Sequence, residues 1–465
     1  MTFKTKACTF VICFVMFFSI QVVAEIDHIH FGSKNNPLQG VTITWRANQS
    51  FCNFKWGYST NSEMEQVPPI EGRIEFGDKN FYLFDYTFPD LEPSRTIHFA
   101  IQEYNGTYEC SQYTGQWTAV YSFQTAPGAK SNKFTFIAGG DSRSERCDIT
   151  MPGWQSVSEA LRNTNADFFI FSGDLIIQGG DKAKCNLWFD SGKNFLSQKL
   201  TYYSAGNHER YGDPTLSNYL NQFVLPSNGN FTKLYYSFEY GNAAFIFLTT
   251  EIVPTTDFGK EFMKKQTEWL TEQLIKYRAP GSNNYKEWVI LCFHKPFFTV
   301  DKHEGEMTSF TPSVTPKEDT SGDYSTIWWK DLFDEYGVDV ILNGHTHLYM
   351  RSVPILLKGT GPNGQDITFD EKGIPSKPVK EVQYGKEKNE GRLEIVTGGF
   401  GVKLLTEDKL TYRDQWYVAR DKNGNPLYIM AFHYCTFNID GKKMEMIVKK
   451  TEDNSIIDQL TIMHK

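Results

Sequence analysis

Near residue 343 the chain passes from an apolar stretch, Val338-Asp339-Val340-Ile341-Leu342, into Asn343-Gly344-His345-Thr346-His347. Two imidazoles one residue apart at the end of a strand-like run are suited to holding a transition ion, because neutral imidazole nitrogen is the commonest protein ligand for such ions. Four upstream runs end in the same kind of residue. Phe134 to Ala138 leads to Gly140-Asp141, and Phe168 to Phe171 leads to Gly173-Asp174. Thr201-Tyr202-Tyr203 leads to Gly206-Asn207-His208-Glu209, and Trp288 to Leu291 leads to His294. A single strand-end aspartate is usually a turn former or helix cap. Ligand-type residues at five successive strand ends, with glycine just before the ligand in four, point instead to one metal centre.

The residue types suit phosphoryl chemistry. Two cations roughly 3.5–4 Å apart can clamp a phosphoryl group, acidify a bound water and stabilise both the attacking and the leaving oxygen. A bridging carboxylate is needed to keep two positive ions that close, and Asp174 is the candidate. Two divalent ions with Asp141 and Asp174 leave two net positive charges, matching a phosphate dianion, and the neutral ligands elsewhere preserve that balance.

The elements that must position these residues form a two-part chain. At 465 residues it exceeds the usual size of one core. From Glu25 to Pro127 short alternating runs such as Val41-Thr42-Ile43-Thr44-Trp45 and Ile97-His98-Phe99-Ala100-Ile101 predict an all-β fibronectin/Ig-like sandwich. His28, His30 and His98 are expected on its strand faces rather than at a site. Beyond Thr125-Ala126-Pro127-Gly128, apolar runs alternate with helical patterns: Trp154, Val157 and Leu161; Leu270, Leu274 and Tyr277; Trp328, Leu332 and Tyr336. That alternation predicts an α/β domain over 128–465, with a mixed or largely parallel sheet, helical cover and ligands at the strands' carboxyl ends. Residues 356–391, rich in Gly, Lys and Pro, predict a peripheral insertion, and Phe432 to Ile439 with Lys443 to Val448 a closing hairpin.

Residues 1–24, with Lys4 and Lys6 before a short apolar run ending in Val22-Val23-Ala24, have the pattern of a secretory signal peptide, so a secreted or periplasmic protein is expected, with no membrane association after cleavage. The formal charge of −8 becomes −10 without those two lysines, which disfavours nucleic acid as a partner. Cys52, Cys110, Cys147, Cys185, Cys292 and Cys435 lie in the mature part. Proximity favours disulfides between Cys52 and Cys110 and between Cys147 and Cys185, while Cys292 and Cys435 are compatible with a bridge or with buried thiols.

Taken together the blocks resemble the calcineurin-like metallophosphoesterases, and specifically the purple acid phosphatase family, a likeness that implies central β-sheets flanked by helices. The Gly206–Glu209 block, the His294 block and the segment Gly344-His345-Thr346-His347-Leu348-Tyr349-Met350-Arg351-Ser352 carry the likeness in the catalytic half. Leu91-Glu92-Pro93 and Tyr121 to Pro127 carry it in the β half. The resemblance implies that Asp141, Asp174 and His347 bind one metal, and that Asp174, Asn207, His294 and His345 bind the other. It implies that His208 faces the phosphate as a transition-state donor. It also implies that His303, ahead of Glu304-Gly305-Glu306, positions phosphate or protonates the leaving alkoxide.

Two departures fall on one metal position. The family's tyrosinate ligand is replaced by Ile177, and its Asp-x-Gly block by Asp141-Ser142-Arg143. Without tyrosinate a stable ferric ion is not expected, and two divalent ions (Mn, Zn, Fe or Mg) become the simplest filling. Arg143 could grip phosphate as a substrate-binding residue, displace one cation, or pair with Glu145 or Asp148. The expected function is an exported phosphatase that hydrolyses small phosphate monoesters by attack of a metal-bound hydroxide. The alternatives are a phosphodiesterase or nucleotidase on the same centre, or a catalytically weakened binding protein.

Overall fold

The computed structural model describes residues 26–464 apart from 38, 61–63, 104–115, 129–130, 230, 232, 253–254, 303–328, 356–390 and 416. Residues 1–24, expected as a signal peptide, Cys110, His303, Trp328 and nearly all of the expected insertion at 356–391 therefore lie outside the described residues. Among the described residues, no helix is long and apolar enough to cross a membrane.

Between Asp27 and Gln124 the described residues form strands in two antiparallel sheets, one on Asp27–Ser33, Val41–Ala47 and Asp78–Thr87, the other on Phe51–Gly57, Thr96–Glu103 and Tyr121–Gln124. Alternation explains their pairing. Phe31, Ile43, Trp45 and Phe84 from the first sheet and Phe54, Ile97, Phe99 and Ile101 from the second share one core. Trp45 stacks on Phe54 and Phe84 at 5.5 and 5.3 Å.

His28 and His30 lie on the strand Asp27–Ser33, but both are buried against the α/β half, where their rings meet Phe189 at 4.2 and 5.0 Å. His30 places Nδ1 2.6 Å from the His28 carbonyl and Nε2 3.0 Å from the Gln222 carbonyl, so the neutral ring donates to one of the two. Both ring nitrogens of His28 lack a hydrogen-bond partner among the described residues. Burial, followed by Arg46 and Lys182, pushes this imidazole well below its ordinary range. A buried polar atom without a partner forfeits its hydration. His28 sits in the left-handed region at φ +50°, which His adopts more readily than Phe, so in His28→Phe the gain from removing two partnerless nitrogens is offset by backbone strain and the urea midpoint is expected to stay within roughly 1 kcal/mol of the parent at unchanged slope.

The C-terminal part has central sheets flanked by helices, as the family resemblance implies, rather than the one sheet that alternation alone suggested. It has two, of six and seven strands, packed face to face. In the six-stranded sheet Lys133–Gly139, Phe168–Phe171 and Thr201–Tyr203 are parallel neighbours. In the seven-stranded sheet Ala243–Phe247, Trp288–Cys292, Val340–Asn343 and Leu393–Thr397 are parallel. Phe136 and Phe168 of the first sheet meet Phe245 of the second edge-on, each at 5.1 Å. Successive residues of one strand serve opposite faces: Ile290 and Cys292 enter the core between the sheets, and Val289 and Leu291 the core under the helices. A strand buried on both faces gives the same continuous apolar run whether a helix or a second sheet covers it, so periodicity cannot separate one sheet from two.

The expected helices are Pro152–Arg162, Asp257–Arg278 and Trp329–Glu335. A fourth, Lys182–Leu196, is capped by Asp181, whose side chain accepts from the Ala183 and Lys184 amides. It packs on the first helix through Trp188, stacked on Trp154 at 5.5 Å. The expected hairpin is His433–Asp440 with Lys443–Lys450, and a further strand, Ile456–Met463, adds to its edge.

The expected Cys147–Cys185 disulfide is absent. Cys147 is an exposed thiol, whereas Cys185 is buried on the core face of the helix Lys182–Leu196. Closeness in sequence misled here because the helix turns Cys185 inward. Cys292 and Cys435 are buried thiols.

Candidate metal centre

The strand ends converge. Asp141, Asp174 and Asn207 follow three neighbouring parallel strands of one sheet, and His294, His345 and His347 follow two of the other. Backbone bonds lace the loops together: Asp141 N–H donates to the Gly173 carbonyl at 2.9 Å, Arg143 N–H to Asp174 at 3.1 Å, and Gly344 N–H to His294 at 2.9 Å. Asp141, Asp174 and His345 sit in the left-handed region at φ +62°, +55° and +70°. Asp and His are among the few non-glycine types enriched there, and such strain gathers at functional sites. The glycines ahead of the ligands provide room: a Cβ on Gly206 would lie 2.2 Å from Asp174 Oδ1, and one on Gly344 2.4 Å from Asp141 Oδ2.

Four ligand-type atoms face one point. His294 Nδ1 donates to the Ser172 carbonyl at 2.8 Å, which leaves Nε2 as the ring's lone pair. That lone pair faces Asp174 Oδ1 at 3.2 Å, Asn207 Oδ1 at 3.0 Å and His345 Nδ1 at 3.2 Å. The ligand atoms of Asp174, His294 and His345 lie within 4.8 Å of one another, and all three residues are buried. Converging lone pairs repel unless a positive charge lies among them. Although burial acts the other way, Asp174 and then Asp141 push His294 up to about 10, so without an ion a proton on Nε2 supplies that positive charge, and a bound cation would replace it. This donor set of carboxylate, amide oxygen and two imidazoles fits a divalent cation.

The second cluster is different. His347 Nδ1 donates to the Lys403 carbonyl at 2.9 Å, and its Nε2 lies 3.7 Å from Asp141 Oδ1. The same Nε2 accepts from Arg143 Nη2 at 3.2 Å, and Arg143 Nε is 3.6 Å from Asp174 Oδ2. Burial and then Arg143 hold the His347 imidazole down to about 3, a neutral acceptor. Burial pushes the Asp141 carboxyl up to about 8, with Asp174 adding to the shift. Burial opposes ionisation of Asp174, but His294, His208 and Arg143 keep it well below the usual carboxylate range.

His208 donates from Nδ1 to the Ile177 carbonyl at 2.7 Å, which turns Nε2 towards Asp174 Oδ2 at 3.8 Å. These groups line a cavity of about 730 Å³ that also takes in Tyr211, Lys295, Lys302 and Lys409. His303 lies outside the described residues, so its expected position is not described.

Sequence reasoning missed Glu209 and Trp188. Buried Glu209 accepts four backbone N–H groups, those of Asp174, Leu175, Ile176 and Gly206. Trp188 Nε1 donates to Ser142 Oγ at 2.8 Å and steadies the Asp141 loop from the helix behind it. The signal for Glu209 was its place three residues after Gly206, the reach-back position of a helix capping box.

Residues 148–349 match the calcineurin-like phosphoesterase family model. The chain is 32% identical over 369 residues to human acid phosphatase type 7, covering 74% of this chain and 76% of that protein. It is 26% identical over 286 residues to the Danio rerio acid phosphatase type 7, covering 59% of this chain and 58% of the relative. Several curated relatives are thus matched over only 53% to 58% of their length. The purple acid phosphatase from yellow lupin seeds shares the fold at a TM-score of 0.67 and 16% identity, covering 95% of this chain and 74% of that one.

Proposed function

Since the chain belongs to the calcineurin-like metallophosphoesterase family, among relatives that are purple acid phosphatases and acid phosphatase type 7, we propose that it is an exported, metal-dependent phosphatase acting on small phosphate monoesters. The family's centre is dinuclear. In this chain Asp174, Asn207, His294 and His345 would hold a divalent ion, Mn, Zn, Fe or Mg, and Asp141 and His347 are the remaining candidates for a second. The observation that carries this reading is the convergence of His294 Nε2, Asp174 Oδ1, Asn207 Oδ1 and His345 Nδ1 on one point. The division near Pro127 into a β-sandwich and a catalytic domain is part of the same reading.

When bound, a divalent cation supplies electrophilic pull on a phosphoryl oxygen and acidifies water. The protein's own residues do the rest. The Ile177 carbonyl fixes the His208 ring with Nε2 towards the cavity; burial lowers this imidazole from its ordinary value, so Nε2 donates to a phosphoryl oxygen only where the ring takes up a second proton, which the ester's negative charge favours. Lys295 and Lys302 add to the attraction for the anionic ester, which Asp301 and Asp408 on the same wall partly offset.

The test compares para-nitrophenyl phosphate with its bis-ester on the purified full chain. The monoester is expected to turn over, to stop on chelation, and to recover with added manganese or zinc. His208→Ala is expected to lower kcat roughly 10²–10³-fold, the range for loss of one such donor, with metal content unchanged. Faster hydrolysis of the bis-ester would replace the monoester reading with a diesterase. Hydrolysis of neither ester by metal-loaded protein would leave a binding protein.

A further inference from the structure

The cluster of Asp141, Asp174 and His347 already contains a cation. Arg143 is buried, with its side chain 9% exposed. One end of its guanidinium donates to His347 Nε2, its Nε faces Asp174 Oδ2, and its other end meets the Ser144 carbonyl at 3.3 Å and Glu145 Oε1 at 3.4 Å. Since His347 Nδ1 is committed to Lys403, Nε2 is the only lone pair that ring can offer an ion, and Arg143 takes it. Asp141 cannot compensate alone. Its Oδ2 accepts from His345 N–H at 2.9 Å, and Oδ1 remains buried with no hydrogen-bond partner among the described residues.

A dication placed among these groups would lie against an arginine that cannot lose its charge in a protein. We infer that the centre is mononuclear: one divalent ion binds Asp174, Asn207, His294 and His345, and the Arg143 guanidinium occupies the other half as a permanent cation. The residues of that second half therefore do not fit an ion while Arg143 is present. With Nη1 engaged by Ser144 and Glu145 and one Nη2 hydrogen by His347, the guanidinium has one Nη2 hydrogen left for a phosphoryl oxygen in the cavity it lines.

The inference rests on the proposal that the first cluster binds a divalent ion, and metal counting tests the two separately. Full-length protein is stripped, reloaded with excess Mn(II), desalted, and analysed for manganese per chain and by electron paramagnetic resonance. The expected result is one ion per chain with the six-line signal of an isolated Mn(II). His347→Ala is expected to leave that count at one, because its ring is engaged by Arg143. Arg143→Ala is expected to admit a second ion at saturating Mn(II) and to produce an exchange-coupled signal. Two ions in the unmodified protein would overturn the inference and leave the metal-dependent reading intact. A count of one in Arg143→Ala at saturation would also overturn it, whereas zero ions in the unmodified protein would overturn both.

Discussion

Asp174→Asn is expected to strip the centre of its ion and remove phosphatase activity while the protein stays folded. Asparagine has nearly the same shape and is among the residues that tolerate the left-handed backbone, here φ +55°. The change is therefore confined to one charge. Asp174 contributes a carboxylate to the four-ligand cluster, Oδ1 at 3.2 Å from His294 Nε2, and its other oxygen faces Arg143 and His208. Two unit charges 4 Å apart attract by ~4 kcal/mol at an effective dielectric of 20, and a divalent ion in direct contact gains more. Loss of that term predicts at least roughly a thousandfold weaker ion binding. Turnover in stoichiometric metal should fall at least as far. Calorimetric titration of the stripped protein with Mn(II), beside a urea midpoint that confirms folding, is the measurement. A folded Asp174→Asn protein that binds Mn(II) as tightly as the parent would remove Asp174 from the centre and the phosphatase proposal with it.

The convergence that makes Asp174 so sensitive was legible in the sequence, for a physical reason. A ligand at the end of a buried parallel strand leaves two local traces, the continuous apolar run and the small residue that lets neighbouring loops close in. Gly140, Gly173, Gly206 and Gly344 are those small residues, and a Cβ on any of them would lie within 3 Å of an atom of a neighbouring loop. Information carried by the third dimension was not legible. The same run Val289-Ile290-Leu291-Cys292 would suit one sheet or two, because nothing along a strand says what covers its far face. Helix Lys182–Leu196 did leave a trace: Cys185, Trp188, Phe189, Gly192, Phe195 and Leu196 are buried at helical spacing. For Arg143 the sequence left three roles open, since a guanidinium can reach any of them from its loop. The structure places Arg143 against His347 at 3.2 Å and against Glu145 at 3.4 Å at once, so the roles overlap rather than exclude one another.

Glu209→Gln is expected to loosen both halves of the centre from behind, although Glu209 is not among the proposed ligands. Its carboxylate ties two ligand loops together: Oε2 accepts from the Asp174 and Gly206 amides at 2.9 and 2.6 Å, and Oε1 from Leu175 and Ile176 at 2.8 and 3.3 Å. Asp174 returns the connection by accepting from His208 N–H at 3.0 Å. Burial and then the neighbouring Asp174 charge push Glu209 up to about 7, and the Gly206 and Ile176 amides act against that rise. Glutamine can present an oxygen to only one pair of donors and must turn its NH₂ towards the other pair. Two buried N–H groups lose their acceptors at roughly 1–3 kcal/mol each, so a loss of roughly 2–6 kcal/mol of stability is expected. The left-handed turn at Asp174 and the Asn207 turn are then less firmly held. A partner that orients metal ligands typically contributes about 10–100-fold in affinity, which sets the expected weakening of Mn(II) binding. The two readouts separate the explanations. A lower urea midpoint with unchanged Mn(II) affinity would make Glu209 a purely structural acceptor, whereas joint losses are expected if the carboxylate sets the distance between Asp174 and Asn207.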